Sequence, residues 1–222
     1  LNRGTSVYLT DRVIPMLPRV LCNGICSLNP GEDRLTLSCI MDMDESGKIL
    51  SHELCESVIR SDKRMTYSGV HAVLTGTTLT NGENIEDYLP YRPMLERMLT
   101  LSKLLRKRRY DRGGIDFDFP ETKILLDKDG HVTDIRPYER NESHMLIEDF
   151  MLAANETVAE DFFWQEMPFL YRSHESPDAD RIKRLMILIK NYGYYMNIRQ
   201  DNIHPMEFQK LLHIIQIEEL LI

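Results

Sequence analysis

Several groups of side chains in this sequence have types and spacings that could do chemistry. The run from Asp42 to Glu53 places acids at its first, third and twelfth positions, Ser at the fifth and Gly at the sixth, the pattern of a calcium-binding EF-hand loop. Such a loop needs an amphipathic helix on each side, whereas both flanks here alternate with period two. The same Asp, Ser and Gly are therefore read as turn chemistry in a hairpin. Asp116 and Asp118 lie two apart in an extended stretch, so both carboxylates share a face, and Glu121 is close by. This is oxygen chemistry suited to magnesium, but beside Gly113-Gly114 it reads as an exposed strand face. Cys22, Cys26, Cys55 and His52 make a zinc set without the tight C-x₂-C spacing, so these thiols, with Cys39, are read as reduced and buried. His174-Glu175 begins like a zinc-protease motif, but Asp178 stands where the second histidine belongs.

Charge is the next candidate for chemistry. Lys103, Arg106, Lys107, Arg108, Arg109 and Arg112 crowd one stretch. Phosphate binders show such basic footprints, yet cations also sit favourably at a helix C-terminus, and the solvated helix end is the preferred reading. The net charge of −8, from 27 basic and 35 acidic residues, argues against nucleic acid only if charge is spread evenly. Tyr192, Tyr194 and Tyr195 read as packing at a helix end rather than as a stacking platform. Tyr8, taken alone, reads as a core tyrosine with a satisfied hydroxyl.

The elements that must position these groups are legible from periodicity. Arg34 to Met41 alternates as a half-buried strand should, and Lys48 to Ile59 is its partner, turned at Asp44-Glu45-Ser46-Gly47. Arg92 to Tyr110 is helical, with Met94, Met98, Leu101 and Leu105 as the stripe, widened by Leu95 and Leu104. Gly113-Gly114 supplies the left-handed residue that ends it. A second hairpin runs from Ile115 to Leu126, turns at Asp127-Lys128-Asp129-Gly130, and returns from His131 to Pro137. Glu142 to about Phe162 is a helix. Ser176-Pro177-Asp178 starts another, reaching Asn191, with Ser176 as the cap. A last helix begins near His204-Pro205. The expected fold is α+β: hairpins of a mixed sheet flanked by helices, the second half mainly helical.

At 222 residues the chain can bury a sizeable core. No apolar run approaches the roughly 18 residues of a membrane span, and no secretory leader is present, so a cytoplasmic location is expected and membrane association is not. A start at Leu1 and an uncapped apolar finish at Ile222 suggest a piece of a longer protein.

A resemblance sharpens these readings. Arg3-Gly4-Thr5-Ser6-Val7-Tyr8-Leu9, Pro15-Met16-Leu17-Pro18, Cys26-Ser27-Leu28-Asn29-Pro30, Gly113-Gly114-Ile115-Asp116-Phe117 and Ile147 to Glu156 occur in that order. Together they resemble the catalytic (RNB) domain of the ribonuclease II and ribonuclease R family, leaning toward the latter. The resemblance covers essentially the whole chain and places residues 1–222 as one partial domain, from the middle to the late part of that catalytic domain. It implies a processive 3′-to-5′ exoribonuclease that releases nucleoside 5′-monophosphates with magnesium. The expected partner is single-stranded RNA, or RNA with a 3′ overhang, with DNA not expected and the protein a monomer. It also implies that the family's metal-binding aspartates lie upstream of Leu1 and a supporting arginine motif downstream. The chain would then carry walls of the RNA channel, no metal ligand and no catalytic residue, and would be inactive alone. Site roles follow from the same likeness. Tyr8 would stack on a nucleobase near the 3′ end, lifting it out of the core reading, and Phe117 would form the opposite jaw. Glu148 and Asn155, seven apart on one helix and so on nearly one face, would reach a ribose or a metal-bound phosphate. Many members carry Glu at the Asp149 position, which leaves open whether Glu148 or Asp149 makes the contact. The alternative from another class is a non-catalytic RNA-binding scaffold of the same fold. An acidic protein-interaction domain sharing only the element pattern is the third reading.

Overall fold

The computed structural model of the chain describes residues 4–79, 82–115, 122–138, 140–173, 177–196 and 204–219. The opening segment folds into an antiparallel ribbon, β1 (Val7–Tyr8) with β2 (Val13–Ile14), in which Tyr8 stands opposite Val13. A π-helical turn, Val20–Ile25, then leads into a long hairpin of β3 (Asp33–Met43) and β4 (Ile49–Arg60). Helix α1 (Tyr67–Thr75) follows, then two short 3₁₀ turns and α2 (Arg92–Asp111). A third ribbon pairs β5 (Thr122–Leu126) with β6 (Val132–Pro137), and α3 (Glu142–Trp164), α4 (Ala179–Asn191) and α5 (Pro205–Glu219) complete the chain. The α+β class expected from the sequence holds. Among the described residues the named strands pair only within their own ribbons, as three two-stranded antiparallel sheets rather than one mixed sheet.

Both longer hairpins turn by the same local chemistry. Asp44 Oδ1 accepts the Ser46 and Lys48 N–H groups, each at 2.9 Å, and Gly47 takes φ +73°. Asp127 Oδ1 accepts the Asp129 and His131 N–H groups at 2.9 and 2.8 Å, and Gly130 takes φ +85°. This is the three-residue loop in which a left-handed glycine closes the turn with a bulge, and register shifts accompany both. The hairpin reading of Asp42 to Glu53 therefore stands over the calcium loop.

The faces of β3 depart from expectation. Leu35 and Leu37 are 87% and 86% exposed, while Thr36, Ser38 and the facing Ser57 are less exposed and bond one another at 2.6–2.8 Å. The alternation is that of a strand, but nothing among the described residues covers the apolar side at this end.

The chain forms two compact units, Leu1–Ser102 with Phe119–Val158, and Lys103–Asp118 with Ala159–Ile222. In the first, Val73, Tyr88 and Leu95 are buried together, with Met65, Val70, Ile85 and Met98 packed around them. Thr66 caps α1 by accepting the Gly69 N–H at 3.0 Å, and Gly76 ends it at φ +74°. Gly69 is needed because the Tyr88 ring lies where a Cβ would go, 2.2 Å from Tyr88 Cζ. The buried face of α2 is centred on Leu95 and Ser102, and Met94, expected in the stripe, is 41% exposed. In the second unit, Ile189, Met196 and Leu211 form the core, with Leu185, Tyr194 and Phe208 against it. There α2 ends as predicted: Gly113 at φ +97° donates to Tyr110 O, and Gly114 donates to Arg109 O. The cap of α4 is Asp178, which accepts the Asp180 and Arg181 N–H groups, and the helix begins at Ala179. The sequence pattern had given that role to Ser176, which lies outside the described residues.

Candidate functional site

The β1–β2 ribbon is short and little buried. Its link is closed by the Leu9 N–H donating to Arg12 O at 2.9 Å, and Met16 N–H donates to Ser6 Oγ at 3.0 Å. Tyr8 is 78% exposed. It is not the core tyrosine that its type alone suggests. Its ring is open to solvent and free to stack on a planar ligand.

The second to fourth turns of α3 carry the other candidate groups, and here geometry separates neighbouring acids. Asp149 is 2% exposed and accepts the Ser102 hydroxyl from α2 at 2.7 Å. Glu148 is half-buried and its Oε2 accepts Arg140 Nη2 at 2.7 Å. Of the two carboxylates, Glu148 is the more exposed, while Asp149 joins α2 to α3 inside the fold. Asn155 is exposed, as are Ile147 and Met151, so these residues share the outward side of α3. Seven residues on, Asn155 lies about 10 Å along the axis from Glu148. That spacing suits contacts to an extended ligand.

Around Glu148 is a network that the sequence analysis did not single out. Asn141 accepts the Ser143 N–H at 3.2 Å with its side chain, and its own carbonyl accepts the His144 and Met145 N–H groups, so it caps α3. Ser143 Oγ donates to Tyr67 O at 2.8 Å, tying the start of α3 to the start of α1. The His144 ring stacks on Tyr67 with centroids 3.9 Å apart, and lies 2.8 Å from Tyr138 Oη through Nε2 and 2.8 Å from Asn141 Oδ1 through Nδ1. Burial, then the charge of Arg140, then His71 lower the His144 pKa, which favours the neutral ring. The Asn141 N–H also donates to Nδ1, at 3.3 Å, so the neutral ring meets Asn141 either as acceptor from its backbone or, with the proton on Nδ1, as donor to its Oδ1. The available sequence signal was Asn141 followed by a helical pattern, a cap in the right place.

Other predicted sets are not brought together. His52 pairs with Met41 and Cys55 with Ser38 along one strand, so they point to opposite faces and the zinc set does not converge. Cys39 and Cys55 are only half-buried, and Cys26 is exposed, so these thiols are reduced but not core. In the basic stretch Lys107 pairs with Asp111 at 2.9 Å, and Lys103, Arg106, Arg108, Arg109 and Arg112 each have partners. Tyr194 packs in the second core, whereas Tyr192 and Tyr195 are 74% and 75% exposed. Among the described residues Asp127, Asp129 and His131 could together hold a cation. They are exposed, and one oxygen of Asp127 is already occupied by the two turn N–H groups, so this is a turn motif and poorly fitted to magnesium. Phe117, Asp116, Asp118, Glu121 and His174-Glu175 lie outside the described residues.

Comparison with known proteins is consistent with this arrangement. The RNB domain family profile matches residues 1–221. Ribonuclease R of Thermotoga maritima is 45% identical over 215 residues, which cover 95% of this chain and 29% of that protein. Among solved structures, Mycoplasma genitalium RNase R in complex with double-stranded RNA superposes with a TM-score of 0.84 at 27% identity, covering 97% of this chain and 40% of that one. The same enzyme in complex with ribose-methylated single-stranded RNA gives 0.83 at 27% identity, covering 97% and 35%. The chain thus spans less than a third of the length of the curated relative.

Proposed function

The chain belongs to the RNB domain family, an exoribonuclease family, and from that premise we propose that the full-length protein degrades RNA from its 3′ end. The observation that carries this reading is the match along essentially the whole chain, together with 45% identity to a ribonuclease R. The reaction is hydrolysis of phosphodiester bonds to nucleoside 5′-monophosphates, processive and magnesium-dependent. On the family resemblance, the magnesium ligands are assigned to the remainder of the protein and residues 1–222 alone are inactive. The substrate is single-stranded RNA or RNA with a 3′ overhang, in keeping with the RNA-bound structures of the related enzyme. A monomer acting in the cytoplasm is the simplest form of this reading. No helix among the described residues is long and apolar enough to cross a membrane.

Within this activity the residues of the chain bind and orient. An enzyme indifferent to sequence must grip what every base shares, a π-face, and the exposed Tyr8 ring offers one. The outward side of α3 offers a carboxylate at Glu148 and an amide at Asn155 to successive positions along a strand. Phe117 is assigned the opposite jaw on the family resemblance alone. Incubating full-length protein and residues 1–222 with 5′-labelled RNA and magnesium tests the proposal. Full-length protein should release mononucleotides and shorten the labelled strand to a small limit product, and a chelator should abolish this. RNA binding without cleavage by the full-length protein would favour the non-catalytic scaffold instead, and robust shortening by residues 1–222 would show the metal ligands to be misassigned.

A further inference from the structure

We infer that His144 is a positioning residue for Glu148, holding the link between β6 and α3 so that Arg140 fixes the Glu148 carboxylate toward the RNA 3′ end. This rests on the reading of Glu148 as the acid of α3 that contacts RNA.

The link is tied to α3 at three residues. Tyr138 is held by His144 Nε2, Asn141 by His144 Nδ1 and by the Ser143 N–H, and Arg140, between them, reaches Glu148 at 2.7 Å. His144 and Glu148 stand one helical turn apart, on the same side of α3. The ring itself cannot drift, because Tyr67 stacks on it at 3.9 Å and an interplanar angle of 20°. Removing the imidazole nitrogens would release Tyr138 and loosen Asn141, and Arg140 would lose its fixed approach to the carboxylate.

Magnitude argues that this arrangement orients rather than stabilises. The Arg140 and Glu148 side chains are 25% and 39% exposed, and ion pairs open to water contribute little to stability after the entropy of ordering an arginine is counted. Tyr138 is itself 39% exposed. A partly wet network of side-chain bonds adds little to a fold, but it sets where one carboxylate oxygen points, and orientation is what a nucleotide contact requires.

The test uses full-length protein and four variants. His144→Phe keeps a ring against Tyr67 but removes both hydrogen bonds. His144→Gln retains a neutral donor and acceptor. Glu148→Ala removes the acid, and the fourth variant combines His144→Phe with Glu148→Ala. Single-turnover cleavage of a short RNA and the melting temperature are measured on each. His144→Phe should lower the cleavage rate roughly tenfold, the scale of lost bonds in a coupled network, with little change in melting temperature. His144→Gln should recover part of the rate, and the double variant should be no slower than Glu148→Ala. A His144→Phe rate within about twofold of wild type while Glu148→Ala is impaired would overturn the positioning role and leave the reading of Glu148 intact. Equal fold-losses from His144→Phe with and without Glu148 would overturn it too, since the histidine would then act elsewhere. A silent Glu148→Ala would instead sink the reading of Glu148 itself, and this inference with it.

Discussion

Tyr8 stands on a ribbon of two residues per strand with its ring 78% exposed, whereas Glu148, in the second turn of the 23-residue α3, is reached by Arg140 amid a network that ends in α1. An aromatic face needs only to be exposed in order to stack, so the ribbon can be slight. A carboxylate must point, and pointing requires neighbours that are themselves held. Changes at the ribbon should therefore alter binding without touching stability. Changes in the buried packing behind α3, at Gly69 or Ser102, should alter stability first.

The largest expected effect tests the packed side of that contrast. A Cβ at Gly69 would lie 2.2 Å from Tyr88 Cζ, inside the cluster of Val73, Tyr88 and Leu95. Gly69→Ala should lower unfolding free energy by about 3 kcal/mol, as overpacking does. Denaturant titration of the purified protein measures it, and an unchanged midpoint would mean that α1 does not sit against Tyr88. Ser102→Ala comes next. It removes the hydroxyl donor from a 2%-exposed carboxylate and should cost about 1–3 kcal/mol, while leaving the length of the final RNA product unchanged. A shifted product length would mean that Asp149, not Glu148, faces the ligand.

A smaller effect concerns pH. The His144 pKa is lowered in the folded protein, mainly by burial and then by Arg140 and His71, so the unfolded chain takes up a proton more readily. The contribution of the neutral ring is fully present above the ordinary histidine value of about 6.5 and is lost as pH falls through the lowered folded value. Wild type should lose stability faster than His144→Phe on going from pH 7 to about pH 5. Parallel curves would show that His144 titrates as it would in water.

How much of this was legible in the sequence depended on how local the cause was. Both turns could be read because Asp44 and Asp127 bond backbone groups two and four residues on. The end of α2 was legible at Gly113 for the same reason. Helix α1 escaped notice: it is nine residues long, and its burial rests on a glycine meeting a tyrosine 19 positions away. The Ser102–Asp149 bond joins residues 47 apart, and a serine at the centre of a buried helix face cannot be inferred from apolar periodicity. At α3, the resemblance pointed to a stretch of helix but could not separate adjacent acids. Their separation came from packing against α2.

Tyr8→Ala in the full-length protein tests the central claim most directly, with the melting temperature and the length of the limit RNA product read on the same sample. A solvent-facing ring carries little of the fold, so the melting temperature should stay at the wild-type value. Loss of one stacked base, about 1–3 kcal/mol, is roughly five- to 150-fold in affinity at that position. Release should then overtake the next cut earlier, and the final remnant should change in length. A strongly destabilised protein with an unaltered limit product would contradict the account, placing Tyr8 in the fold and not on the RNA.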